Sequence, residues 1–124
     1  LLRDLREKLS LSMIFISHDI GVIGWISDRV AVMYSGRIVE LASTQAILAH
    51  PTHPYTAALM QAIPKPDPSR RITGAIAAGE PPSQFARLAG CAYAPRCALA
   101  SARCRTEAPA LRPVRERLVA CHNV

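Results

Sequence analysis

The sequence predicts an α/β chain whose second half is irregular. Three observations predict it. A continuous apolar run, Ser12 to Ile16, is followed at once by a helical pattern. Two further apolar runs, Arg29–Tyr34 and Arg37–Leu41, flank the turn pair Ser35-Gly36. All four cysteines, at 91, 97, 104 and 121, lie in the second half, in a region broken by proline and glycine. The expected order is therefore strand, helix and a hairpin closing the edge of an α/β domain, then two helices and an irregular four-cysteine extension.

Each element has a local reason. Leu2, Leu5 and Leu9 recur at i, i+3 and i+7 with charged residues between them, which predicts an amphipathic helix over 1–10. Ser12–Ile16 lacks alternation, as in a strand buried on both faces of a parallel sheet. Asp19 can cap a helix running to about Ser27. Ser35-Gly36 can turn a hairpin. Ser43 opens a helix to His50, and Pro51 stops it. Pro54 suits the first position of a second helix, "PYTAALMQAI", that ends before Pro64. Pro64, Pro66 and Pro68 make 64–72 a stiff linker, and the glycines and prolines of 73–90 predict loop. Three stretches result: 1–49, 50–72 and 73–124.

Charge follows the same division. Residues 1–63 hold five Lys/Arg and five Asp/Glu, and residues 64–124 hold ten and four, so the whole net charge of +6 sits in the second half. Such a half can be a solvated Arg-rich surface, a patch for an anionic partner, or compensation for a bound anion. Its only aromatics are Phe85 and Tyr93, too few for a base-stacking platform, so no nucleic-acid partner is expected. No apolar run reaches the roughly 18 residues of a membrane span. The start at Leu1, inside a helical pattern, predicts a piece of a longer protein.

The run Ser17-His18-Asp19 is the first candidate site. A histidine after an apolar strand is usually structural. The carboxyl end of a parallel strand is also where open α/β sheets place ligands, and an imidazole there can bind a phosphate oxygen or a water. The run "IFISHDIGVIGWISDRVAVMYSGRIVE", Ile14 to Glu40, resembles the last part of an ATP-binding-cassette (ABC) nucleotide-binding domain. The resemblance implies that His18 is the switch histidine, which contacts the γ-phosphate of ATP and helps align the attacking water. The segment "HPTHPYTAALMQAIP", His50 to Pro64, resembles the region beyond that domain in oligopeptide and dipeptide importers, with His53 to Thr56 as its mark.

The resemblance implies a subunit that uses ATP and Mg²⁺ when intact. It implies inner-membrane permease subunits and a second ATP-binding subunit as partners, a peptide substrate handled indirectly, and a peripheral place on the cytoplasmic face of the inner membrane. The phosphate-binding loop G-x-x-x-x-G-K-[ST], the signature motif and the catalytic glutamate are absent from these 124 residues. The chain alone is therefore not expected to hydrolyse ATP.

The cysteines read C-x5-C-x6-C-x16-C, from Cys91 through Cys97 and Cys104 to Cys121. Disulfides, a zinc site with His122 as an alternative ligand, an iron–sulfur cluster and unliganded thiols all remain open on spacing. Arg96, Arg103 and Arg105 beside ligand positions favour an anionic metal–thiolate centre over disulfides, without separating zinc from iron. The resemblance to the carboxyl-terminal extension of peptide-importer ATPases implies a 4Fe-4S cluster on Cys91, Cys97, Cys104 and Cys121, with zinc as the alternative. The competing reading of the whole chain is a stand-alone Cys₄ interaction module with a basic surface.

Overall fold

In a computed structural model, the described residues are 1–63 and 89–124. The amino-terminal helix forms as expected, as α1 (Leu2–Leu9). It stops where Ser10 turns left-handed, with φ 51°. None of its residues is buried. It is held to the next helix by polar contacts: Arg6 donates to the Ile26 carbonyl and to Asp28, both at 3.1 Å, and the Arg3 guanidinium lies over the Trp25 ring.

The expected strand at Ser12–Ile16 does not form. Residues 11–17 belong to no helix or strand, and Ile14 and Ile16 are 95% and 93% exposed. A strand is completed by hydrogen bonds to a neighbour, and no described segment pairs with this one. Its apolar residues supply the pattern of a buried strand without the sheet that would bury it.

From Asp19 onward the local signals hold. α2 (Ile20–Ile26) is capped by Asp19, whose Oδ1 accepts the Val22 N–H at 3.2 Å. β1 (Arg29–Tyr34) and β2 (Arg37–Ser43) pair antiparallel around Ser35 and Gly36, both at positive φ, 47° and 75°. Two positive angles match the right-handed twist of a two-residue hairpin, and glycine reaches one without strain. β2 runs two residues past Leu41 into the cap of α3 (Thr44–Ala49), where Ser43 Oγ accepts the Ala46 N–H. α4 (Pro54–Gln61) starts on proline, as expected.

The four-cysteine extension is more ordered than expected. After a 3₁₀ turn at Ala94–Arg96 it forms α5 (Ala102–Thr106), β3 (Arg112–Val114) and β4 (Arg117–Val119). β4 pairs with β2, placing Glu40 opposite Val119 and Leu41 opposite Leu118, and the sheet order is β1-β2-β4-β3, antiparallel throughout. The sheet thus joins the first and third stretches across the chain. The sequence hid these strands because each has three residues, too few to show alternation, and β3 contains Pro113. Proline is tolerated there because β3 is an edge strand. The Pro-rich linker and most of the 73–90 loop lie outside the described residues.

The core lies between the hairpin, α3, α4 and the start of the extension. It is built from Val32, Tyr34, Val39, Ala42, Ile47 and Tyr93. Tyr34, Tyr55 and Tyr93 meet with ring centroids 4.7–5.4 Å apart, bringing strand, helix and extension to one point. Tilted and edge-on aromatic pairs of this kind add about 0.5–1.5 kcal/mol each beyond their buried area.

Candidate functional site

Three polar constellations stand on this scaffold. The first is Ser17-His18-Asp19. The Asp19 N–H donates to Ser17 Oγ at 3.0 Å, a short-range turn that presents His18 between the irregular segment 11–17 and the α2 cap. His18 is exposed and makes no hydrogen bond or ion pair among the described residues. A free imidazole at this edge can donate to, or accept from, a group brought by a ligand or by another chain segment.

The second constellation escaped the sequence reading. Glu40, fully buried, accepts the Thr52 N–H at 3.0 Å, the His53 N–H at 2.9 Å and Arg117 Nη1 at 3.0 Å. Arg117 also donates to the His50 carbonyl at 2.6 Å. His53 is 1% exposed, and its Nδ1 accepts the Tyr55 N–H at 3.0 Å, capping α4 from inside. Burial holds the His53 imidazole below its ordinary pKa, against the opposing pull of Glu40 and of a hydrogen bond to the Ala120 backbone. A neutral ring is what an Nδ1 acceptor requires. His-Pro-Tyr was visible in the sequence as a mark. Its physical role, tying hairpin, helix and extension through one carboxylate, was not, because Arg117 lies 77 residues from Glu40.

The third is the cysteine region. All four cysteines are free thiols. Cys104 and Cys121 are buried, and Cys91 and Cys97 pack on the edge of the aromatic core. The Cys91 N–H donates to the Cys104 carbonyl at 2.8 Å. Gly90 makes that approach possible: a Cβ there would stand 2.3 Å from the Cys104 oxygen. The thiols share one electrostatic neighbourhood. Burial pushes Cys97 up, and Cys121, Cys91 and Cys104 push it further; burial likewise raises Cys121. Cys104 goes the other way, because the Ser101 hydroxyl hydrogen-bonds its sulfur, 3.3 Å away.

Thiolates are donors of the kind that a metal centre uses. Among the described residues, however, no three His, Cys, Asp or Glu side chains stand grouped as ligands of one ion. His122 has its Nε2 on the Glu107 carbonyl at 3.0 Å. Arg103, next to Cys104, forms a two-pronged pair with Glu107 at 2.8 and 2.9 Å.

Residues 39–104, just over half of the chain, match the family described as the oligopeptide/dipeptide transporter, C-terminal region. The chain belongs to that family. The match takes in β2 from Val39 onward, with Glu40, the His53-Pro54-Tyr55 segment and three of the four cysteines. The chain is 51% identical over 123 residues to a peptide ABC transporter ATP-binding protein of Sinorhizobium fredii, covering 98% of this chain and 35% of that protein. It is 50% identical over 115 residues to a peptide import ATP-binding protein of Brucella ovis, covering 93% and 36%. A peptide import ATP-binding protein of Brucella abortus is 44% identical over 122 residues. The chain spans about a third of the length of these relatives. Among the described residues no helix is long and apolar enough to cross a membrane.

Proposed function

We propose that this chain is the carboxyl-terminal part of the ATP-binding subunit of a peptide importer, and that His18 acts at the γ-phosphate of ATP in the intact protein. What supports this reading is that His18 is exposed and makes no hydrogen bond or ion pair among the described residues, in a chain that spans about a third of relatives named as peptide import or peptide ABC transporter ATP-binding proteins. ATP and Mg²⁺ would be bound mainly by residues outside this chain. The partners would be membrane permease subunits and a second ATP-binding subunit, with the assembly on the cytoplasmic face of the membrane and the peptide handled by the permease. The stand-alone Cys₄ module is not favoured, because the relatives match nearly the whole chain and not the extension alone.

The test is His18→Ala in the full-length subunit. Loss of one oriented hydrogen bond at developing charge should slow hydrolysis about 10²–10³-fold, with nucleotide binding nearly unchanged. An equal loss of binding and turnover would overturn the role of His18.

The same reading extends to Cys91, Cys97, Cys104 and Cys121 as the ligands of a 4Fe-4S cluster. Four free cysteines in one neighbourhood support it, and a cubic cluster spreads its thiolates over four irons instead of gathering them on one ion. Such a group, when bound, cross-links the extension and can hold an electron. Anaerobic purification should yield about four iron per chain. One zinc per chain without iron would overturn the cluster.

A further inference from the structure

His18 makes no hydrogen bond or ion pair among the described residues, so its place is set by the turn at Ser17 and by the helix that follows it. That helix, α2, buries none of its residues, so apolar burial does little to hold it. Its fastening lies at the end away from His18. The Thr44 hydroxyl donates to the Ser27 carbonyl at 2.5 Å, and the Thr44 N–H donates to the Asp28 carbonyl at 3.0 Å. Thr44 is buried at the start of α3, directly after β2. α3 in turn carries Ile47, which belongs to the core. One residue therefore joins the end of α2 to the closed part of the molecule with two bonds. Midway along α2, Gly24 lies against Leu48, where a Cβ would stand 3.1 Å from the leucine Cδ1. A short helix moves as a rod. The seven residues of α2 rise about 10 Å, so a tilt of about 10° at the Thr44 end moves the His18 end by about 2 Å. Misplacement of a reacting group by about 1 Å can cost about 10²-fold in rate.

We infer that Thr44 is a positioning residue for His18, because its hydroxyl and N–H fix the tilt of α2 on α3 and so the place of the imidazole. The inference rests on the proposal that His18 acts at the γ-phosphate of ATP. Of the two bonds, the one from the backbone survives substitution and the one from the hydroxyl does not. Thr44→Val keeps the branched shape and leaves the Ser27 carbonyl without its donor, so α2 loses one of its two ties to α3.

The experiment measures ATP hydrolysis by the full-length subunit. Thr44→Val should lower kcat about 10–10²-fold with KM for ATP nearly unchanged. Thr44→Ser, which keeps the hydroxyl, should stay near the wild-type rate. In a His18→Ala background Thr44→Val should cost nothing further, because the group that it places is gone. A kcat unchanged in Thr44→Val, or the same fold-loss in both backgrounds, would overturn the inference and leave the role of His18 standing. A Thr44→Ser rate as low as that of Thr44→Val would overturn it too. If Thr44→Val does not fold, Gly24→Val, which wedges α2 away from Leu48, must lower kcat in the wild-type background and not in the His18→Ala one; a wild-type rate there sinks the inference. If His18→Ala itself leaves hydrolysis unchanged, the reading of His18 falls and this inference falls with it.

Discussion

Residues 1–28 and the block formed by 29–63 with 91–124 are both rich in apolar side chains and use them differently. In the first region Ile14 and Ile16 are almost fully exposed. In the second, Ile47 and Val119 are 1% and 0% exposed. The first region holds itself together with contacts close in sequence: an α2 cap three residues long and a turn two residues long. Its longest ties are those of Arg6 and Arg3 to the end of α2. The second region is closed by bonds across the chain, among them Arg117 to Glu40 and the Ala120 N–H to the Val39 carbonyl. Apolar content alone does not make a core. A core needs a second layer, and in this chain the extension supplies one to the hairpin, while nothing described supplies one to Ser12–Ile16. The candidate residue His18 lies in the exposed region, and the buried residues lie in the closed one.

The largest effect should come from the tie that closes the second region. Arg117→Ala leaves the Glu40 carboxylate buried without its cation and frees the His50 carbonyl. Breaking a buried pair from one side costs about 3–5 kcal/mol. Chemical denaturation of the full-length subunit checks it, and a loss under about 1 kcal/mol, the range of exposed pairs, would mean that the closure lies elsewhere.

Gly90→Ala should come next. The new methyl would meet the Cys104 and Arg105 backbone, which cannot swing aside as a side-chain tip can. Overpacking of this kind costs about 1–3 kcal/mol. Faster proteolysis confined to the cysteine region, with the α1–α2 segment unchanged, would sharpen the division between the two regions.

Ser43→Ala removes the α3 cap, a local contact inside the closed block, and should cost about 1 kcal/mol by the same denaturation assay.

Acid should also act on the second region. Burial lowers the His53 pKa in the folded chain below the ordinary 6.5. The unfolded chain then binds the proton more readily, so the stability present above that ordinary value is lost as pH falls toward the folded one. Thermal unfolding followed from about pH 7.5 to about pH 5 should show the decline. His53→Gln, which cannot titrate, should flatten it.

The smallest effect should be that of His18→Ala on stability. An exposed residue without partners should shift it by less than about 0.5 kcal/mol, in contrast to its effect on hydrolysis. A larger loss would place His18 in a structural role and undo the comparison.

The sequence by itself determined what is settled within four or five residues. Asp19 and Ser43 cap because each side-chain oxygen meets an N–H three positions on. Pro54 starts a helix because its fixed φ and missing N–H suit that position. Ser35-Gly36 turns because both angles are positive. His18 was legible as a candidate chiefly through the resemblance of Ile14–Glu40 to an ABC nucleotide-binding domain, because a histidine after an apolar run is by itself usually structural.

Only the tertiary structure decided the rest. Whether Ser12–Ile16 becomes a strand depends on a partner that its own residues cannot provide. That Arg117–Val119 is a strand depends on the open edge of β2. That Glu40 is buried, and that His53 takes an inward Nδ1 contact, depends on Arg117. The thiols of Cys91, Cys97, Cys104 and Cys121 share one field because Gly90 lets two segments touch and because β4 delivers Cys121 to them. Each of these is a contact between residues distant in the chain. Its free energy appears only after the loop between them has closed, and a window of neighbouring residues carries no record of that closure.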